Sequence, residues 1–412
     1  MRRTQITAAV LLALPLLAGC YDNEPLNAPD LSSSNGLMAR YVSMGNSITA
    51  GFQSAGINDS TQMRSYAVLF AGRANAPFNV PSLQGRGCPP PFTNNVTQAR
   101  VGGGSSTTCD LRANERLFYV SNVAVPGATS FSPTDNMIAF ANSNALTTFI
   151  LGGRTQVQAM QDAHPTFVTA WIGNNDVLGS LTSTSDPGNP ALVTPVPVFI
   201  ANYDAMLDSI EAAGHPATVL FSVADVSVIP YTSRGATYWC LKTGLCPGVP
   251  AAPFPANFGV DISCAPSAAV PTSAGENILV PWPVGVPKIA AAAQGAPAGI
   301  PQTTLNCLTD PVVSPSELTN LQTTVAQYNA HISGAAAARG MAYLDVNAPL
   351  AALVASGAIP PFPDIIPALS GGSVGFGPYF SLDGVHPSTL AHQLIADSLV
   401  SITNQFFGTS IP

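Results

Sequence analysis

Two hydrophobic rhythms alternate along this chain. Residues 39–44, 117–125, 166–172, 217–223 and 341–346 are short apolar runs rich in β-branched side chains, and each has the length of a strand. Between them lie segments in which apolar residues recur three and four apart. The clearest opens with Ser314-Pro315-Ser316-Glu317, which supplies an N-cap serine, a proline suited to the first helical position and a glutamate that can reach back to the cap. Leu318, Leu321, Val325, Tyr328 and Ile332 then share one face, and Gly340 ends the helix. A second helix follows Pro387, with Ala391, Ile395, Leu399, Ile402 and Phe406 on one face. Strands alternating with helices predict an α/β fold of three layers, α/β/α, around a central parallel sheet. Ligands of such sheets collect at the C-terminal ends of the strands.

Two stretches break the alternation. Residues 230–310 are rich in Pro, Ala and Gly, hold four cysteines, and include Tyr231, Tyr238, Trp239, Phe254, Phe258 and Trp282. They read as an ordered, loop-rich insertion stapled by disulfides. Residues 360–380 carry Phe362, Phe376, Tyr379 and Phe380 and lead straight into Asp383. Both stretches fit core packing and a substrate-facing wall equally well. The sequence shows no internal repeat.

Composition narrows the class. Charged residues are 9% of the chain, against an ordinary ~25%, while 35 Gly and 38 Pro imply many turns and ordered loops. Met1-Arg2-Arg3, an apolar run from about Ala8 to Leu17 and small residues before Cys20 have the parts of an export signal, too short to span a membrane. Leu17-Ala18-Gly19-Cys20 resembles the lipobox of bacterial lipoproteins, which implies removal of residues 1–19 and a lipid on Cys20. The alternative is an ordinary signal peptide with an incidental cysteine. Residues 20–37 then form a tether, and the folded domain runs from 38 to 412. Loss of Arg2 and Arg3 takes the formal charge from −8 to −10, which disfavours nucleic acid and anionic membrane surfaces as partners. No second apolar run reaches spanning length, and the helical periods argue against an outer-membrane barrel.

Six cysteines remain: Cys88, Cys109, Cys240, Cys246, Cys264 and Cys307. In an exported chain they are expected to pair, and no Cys-x-x-Cys spacing points to zinc. Sequential pairing, Cys88 to Cys109, Cys240 to Cys246 and Cys264 to Cys307, is the simplest of many connectivities.

The candidate chemistry starts at Leu382-Asp383-Gly384-Val385-His386-Pro387. A carboxylate three residues before a histidine, in a glycine-containing turn, can hold one ring nitrogen and fix the tautomer of the other. Such a base needs a nucleophile within hydrogen-bond reach. Gly371-Gly372-Ser373-Val374-Gly375 matches a nucleophile elbow, but Ser373 follows a proline-rich loop where an elbow requires a strand and then a helix. Ser47 stands where the first strand meets a turn, so its hydroxyl emerges at the strand's C-terminal end. The second run ends at Pro126-Gly127, whose glycine amide can approach a ligand closely. The third ends at Gly173-Asn174-Asn175-Asp176, with side-chain amides that can donate.

These four blocks together resemble the SGNH (GDSL-type) hydrolase family, and they occur in family order between positions 45 and 387. The resemblance implies a flavodoxin-like fold, Ser47 as nucleophile, His386 as base and Asp383 as its orienting carboxylate. It also implies an oxyanion hole made by the amides of Ser47 and Gly127 and the side chain of Asn175. No cofactor or metal is implied. The family's usual Gly-Asp-Ser-Leu opening is Gly45-Asn46-Ser47-Ile48 here, which leaves the chemistry intact and loosens any subfamily assignment. Asp176 reads as a helix cap or turn stabiliser. His164, His215, His331 and His392 read as surface or satisfied core residues, His164 and His215 each preceding a proline at a helix end.

The expected activity is that of an exported serine esterase or lipase acting on carboxylic esters. Removal of acetyl groups from polysaccharide, for which Trp239 and Trp282 could stack on sugar rings, and acyl transfer to an alcohol use the same residues. The rival of another class is a non-catalytic binding lipoprotein that has kept the fold. Tyr21 after the lipidated cysteine, where inner-membrane retention needs Asp, points to an outer-membrane anchor.

Overall fold

The computed structural model describes residues 36–110, 117–135, 146, 150–295 and 303–412. The expected leader 1–19, Cys20 and all but the end of the tether lie outside the described residues. Met38, where the domain was expected to start, is already buried among the side chains packed on the sheet. Among the described residues no helix is long and apolar enough to cross a membrane.

The central sheet holds β1 (Tyr41–Gly45), β2 (Phe167–Trp171), β3 (Ala217–Phe221) and β4 (Ala342–Leu344), side by side in that order and all parallel. Every residue of β1 and β2 is buried, as parallel strands covered on both faces require. Tyr41, Phe167, Trp171 and Phe221 point to one face, where they meet Tyr66 and Phe70 of α2 (Tyr66–Arg73) and Leu399 of α10 (Thr389–Phe407). Val42, Met44, Val168 and Leu220 point to the other face, under α3 (Gln156–Asp162), α5 (Val196–Ala212) and α8 (Pro315–Arg339). The fold is therefore the three-layer α/β/α arrangement that the two rhythms predict.

One expected strand is missing. Residues 117–125 make a single parallel bridge, Asn122 opposite Ser43, on the free edge of β1. The backbone bonds of a ladder are there, from the Ser43 N–H to the Ser121 carbonyl at 2.8 Å and from the Val123 and Val125 N–H groups to the Ser43 and Gly45 carbonyls at 2.9 and 3.1 Å. The Gly45 N–H that the next rung would use goes instead to Gln156 Oε1 at 2.9 Å, and Pro126 cannot extend the segment. Counted as an edge, this segment completes the strand order of flavodoxin-like sheets. Their ligand-binding switch point lies between the strands corresponding to β1 and β2.

The helix α8 follows its pattern: Ser314 and Glu317 form a capping box, Gly340 closes the C-terminus at φ 65°, and the expected apolar face is buried. In α10 the expected face is displaced. His392, Ala396, Leu399, Val400 and Thr403 are the buried residues, whereas Phe406 is 48% exposed. The polar side chains inside are bonded in part: His392 Nδ1 accepts the Tyr66 N–H at 3.2 Å and the Thr403 hydroxyl donates to the Leu399 carbonyl at 2.6 Å, while His392 Nε2 is buried without a partner among the described residues.

Within the insertion, Thr232–Arg234 pairs antiparallel with Leu279–Pro281, and Phe258–Val260 pairs parallel with Thr303–Leu305. With α6 (Gly235–Thr243) and α7 (Trp282–Gly295) they enclose a small core of Tyr238, Phe258, Val280, Ile289 and Leu305. Val374 and Phe376, from the loop before Asp383, join that core. The disulfides follow sequence order: Cys88–Cys109, Cys240–Cys246 and Cys264–Cys307.

Candidate active site

Ser47 is placed by an abrupt turn at the end of β1. A Cβ on Gly45 would lie 2.1 Å from Thr49 Oγ1, so only glycine lets the strand turn directly into α1 (Ser47–Ala50). Gln156 holds that glycine, accepting its N–H and donating to its carbonyl, both at 2.9 Å. Asn46 caps α1 by accepting the Ile48 N–H at 3.0 Å. As the first residue of α1, Ser47 has an N–H with no intrahelical acceptor.

Three side chains form a continuous relay. Ser47 Oγ lies 2.9 Å from His386 Nε2, and His386 Nδ1 lies 2.9 Å from Asp383 Oδ2. The ring of Phe52 packs against the imidazole at 4.8 Å between centroids. Asp383 Oδ1 accepts the backbone N–H groups of Val385 and His386 at 2.9 and 2.8 Å and the Ser381 hydroxyl at 3.1 Å. Its Oδ2 also accepts the Ala55 N–H at 2.6 Å. Burial alone would raise the pKa of this carboxyl, but the charge of His386 and the converging donors outweigh it and hold the group at about 2. Asp383 is thus an anion across the working pH range, bonded on the side of His386 that faces away from Ser47.

Several partners in this arrangement carry no sequence signal. Ser54 and Ala55 both adopt left-handed backbone, at φ 55° and 53°, without being glycine. That turn aims the Ala55 N–H at Asp383, while the Ser54 N–H donates to Ser381 Oγ at 2.8 Å. Arg100 braces it from behind, donating to the carbonyls of Ala55 and Pro90 at 2.8 and 2.6 Å and lying 4.0 Å over the Phe92 ring. Asn95 ties the Asp383 turn to the preceding loop by donating to the carbonyls of Val374 and Leu382 at 2.9 and 2.7 Å.

Gly127 and Asn175 belong to one bonded unit at the switch point. The Val125 N–H donates to the Gly45 carbonyl at 3.1 Å, which brings the following Pro126-Gly127 turn to the end of β1, and Gly127 has φ 84°. Asn175 opens α4 (Asn175–Leu181), and its Nδ2 donates to the Ala128 carbonyl at 2.9 Å, using one of its two N–H groups. Asp176 is not the cap of α4. It is a buried brace that accepts the Ser130 N–H at 2.8 Å and the Ser130 hydroxyl at 2.7 Å. Burial pushes its carboxyl up to about 6 against those hydrogen bonds.

Other candidates lie apart from the relay. Ser373 sits in the loop after a short helix, Ile366–Leu369, with neither the strand nor the helix that an elbow requires. His331 bonds Asp204 at 2.9 Å, and His164 and His215 follow α3 and α5 in left-handed backbone. His392 is fully buried, and burial pushes its pKa down to about 3, with the nearby His386 adding to the effect. Trp282 packs against Phe376 at 6.0 Å and Trp239 against the insertion core, so both serve packing. Among the described residues no group of three or more His, Cys, Asp or Glu could hold a metal ion.

No protein-family model matches the sequence, and no curated protein matches it significantly. Among solved structures, the extracellular lipase of Streptomyces rimosus aligns at TM-score 0.38 and 14% identity, covering 89% of this chain and 100% of the lipase. A catalytic mutant of an acetylxylan esterase from Geobacillus stearothermophilus aligns at 0.38 and 11%, covering 90% and 95%. A lipase/acylhydrolase from Enterococcus faecalis aligns at 0.34 and 13%, covering 90% and 98%. TM-scores this low leave the likeness without weight, and the reading of this chain rests on its own geometry.

Proposed function

We propose that this chain is a serine hydrolase of carboxylic esters, of the SGNH type, with Ser47 as nucleophile, His386 as base and Asp383 as the orienting anion. The observation that carries the reading is the relay from Ser47 Oγ through both ring nitrogens of His386 to Asp383, with 2.9 Å at each step. Because Asp383 accepts a hydrogen bond from Nδ1–H, the proton of the neutral ring stays on Nδ1 and Nε2 presents its lone pair to Ser47. Nε2 removes the hydroxyl proton as Ser47 Oγ bonds to the ester carbonyl carbon. The carbonyl oxygen becomes an oxyanion, met by the N–H groups of Ser47 and Gly127 and by the second N–H of the Asn175 amide. Each such donor contributes about 3 kcal/mol to the transition state. Collapse breaks the bond to the alcohol oxygen, which leaves with the proton held on Nε2. Water then gives a proton to Nε2 and attacks the acyl-enzyme, releasing the carboxylic acid and restoring Ser47.

Export and anchoring through a lipid on Cys20, with the domain held at the outer membrane, complete the reading. The signal-like N-terminus supports it, and three disulfides favour an oxidising compartment.

Hydrolysis of 4-nitrophenyl acetate tests the chemistry. Ser47→Ala lowers kcat/KM by at least ~10³-fold, whereas Ser373→Ala stays within about twofold of wild type. The reverse pattern would move the nucleophile to Ser373 and overturn the assignment.

A further inference from the structure

A crevice of about 130 Å³ lies between α10, the ends of the central strands and the turn that carries His386. One end is made by the chain neighbours of Ser47 and His386, Ile48 on one side and Val385 and Pro387 on the other. From there the lining follows α10 from Ala391 through Leu394 and Ile395 to Ser398, a run of ~10 Å along a helix. Leu350 and Leu353 of α9 (Asn347–Ala355) and Trp171 and Leu344 at the strand ends complete it. The sequence of α9 is almost wholly apolar, yet the helix contributes no buried residue. Its leucines face the crevice, where hydrocarbon meets water unless something fills the space.

We infer that this crevice binds the acyl chain of the substrate, and that the preferred ester carries a medium-length acyl group. The inference rests on the ester-hydrolase reading above. Three observations support it: the crevice starts at the residues flanking nucleophile and base, its walls are hydrocarbon, and its size is limited. The polar side chains are few and marginal. Asp345 Oδ1, for example, already accepts from the Ser222 hydroxyl at 3.1 Å and from the Asn347 backbone at 3.0 Å. A sugar ring would need several convergent donors and acceptors, which these walls do not offer. An apolar cavity of ~150 Å³ takes benzene, so this crevice has room for a tail of roughly six carbons. The same residues explain the displaced face of α10: Ala391, Ile395 and Leu394 face the substrate channel, and the core takes His392 and Ala396 instead.

The test is kcat/KM on 4-nitrophenyl esters from acetate to dodecanoate, for wild type, Ala391→Trp at the catalytic end, Ser398→Trp at the far end, and Phe406→Trp on the exposed side of α10. Wild type should gain about fourfold per methylene up to hexanoate or octanoate and nothing beyond. Ala391→Trp should cut the hexanoate-to-acetate ratio by at least about tenfold. Ser398→Trp should cut the octanoate-to-butanoate ratio while sparing the butanoate-to-acetate ratio, and Phe406→Trp should follow wild type throughout. A wild-type rate that falls steadily from acetate, or ratios that ignore both crevice variants, would overturn the inference while leaving the hydrolase in place. Failure to cleave even acetate, in protein with a normal melting transition, would overturn both readings.

Discussion

Replacing Asp383 by asparagine removes one charge and one pair of lone-pair sites while keeping the shape of the side chain. The native carboxylate accepts five hydrogen bonds, three on Oδ1 and two on Oδ2. An amide must place its NH₂ on one side or the other. On the Oδ1 side it confronts the Val385 and His386 N–H groups. On the Oδ2 side it confronts the Ala55 N–H and donates to Nδ1, which moves the ring proton to Nε2 and leaves Ser47 without a base. At least one buried backbone N–H loses its acceptor in either case, at about 1 to 3 kcal/mol each. The charge matters as well. The native group sits at about 2 instead of 3.8, which amounts to roughly 2 kcal/mol of stability. Because the folded pKa is lowered, that stabilisation is present above pH ~4 and lost as pH falls through ~2, and asparagine lacks it throughout. The expected result is a thermal midpoint several degrees lower and a kcat/KM on 4-nitrophenyl acetate lower by about 10³ to 10⁴, measured well below both midpoints. Retention of more than about a tenth of the activity by folded Asp383→Asn protein would refute the tautomer argument. A rate loss that only tracks the unfolded fraction would make Asp383 a structural anchor.

The two braces lead to further outcomes. Asp176 has a raised pKa, about 6 against 3.8, so the fold favours its protonated form and its contribution to stability declines by roughly 3 kcal/mol as pH rises from ~4 through ~6. Denaturant unfolding at a series of pH values should show Asp176→Asn gaining on wild type by that amount across the window, and parallel curves would contradict the burial argument. Arg100→Met leaves the Ala55 and Pro90 carbonyls without their shared guanidinium donor, at about 3 kcal/mol for two charge-assisted bonds. Calorimetry should find a lower midpoint, and kcat/KM should fall about tenfold as the Ala55 N–H loosens from Asp383; an unchanged midpoint would remove Arg100 from the clamp.

The parts of the site legible in the sequence are those whose determinants are local. Asp383 and His386 share one turn, Ser47 ends a strand through Gly45, and Ser314 with Glu317 announces α8 within four residues. The unread parts depend on contacts across the chain. Ala55 meets Asp383 across 328 positions, and no residue preference marks Ala55 for left-handed backbone. Residues 117–125 have strand composition, yet their ladder with β1 stops short because Gln156, 111 positions away, takes the Gly45 N–H. In α10 the hydrophobic period picks out Ala391 and Ile395, which line the crevice, while the core takes His392 and Thr403, whose Nδ1 and hydroxyl are bonded to Tyr66 and Leu399. Helix α9 is apolar on all sides and gives no period from which its exposed face could be read.

That Ser47 Oγ is the attacking atom is tested most directly by reaction with a fluorophosphonate probe, followed by mass mapping of the modified peptide. The relay predicts one phosphonyl adduct, on Ser47, absent from Ser47→Ala and strongly slowed in His386→Ala. An adduct on Ser373, or labelling that persists in Ser47→Ala, would contradict it.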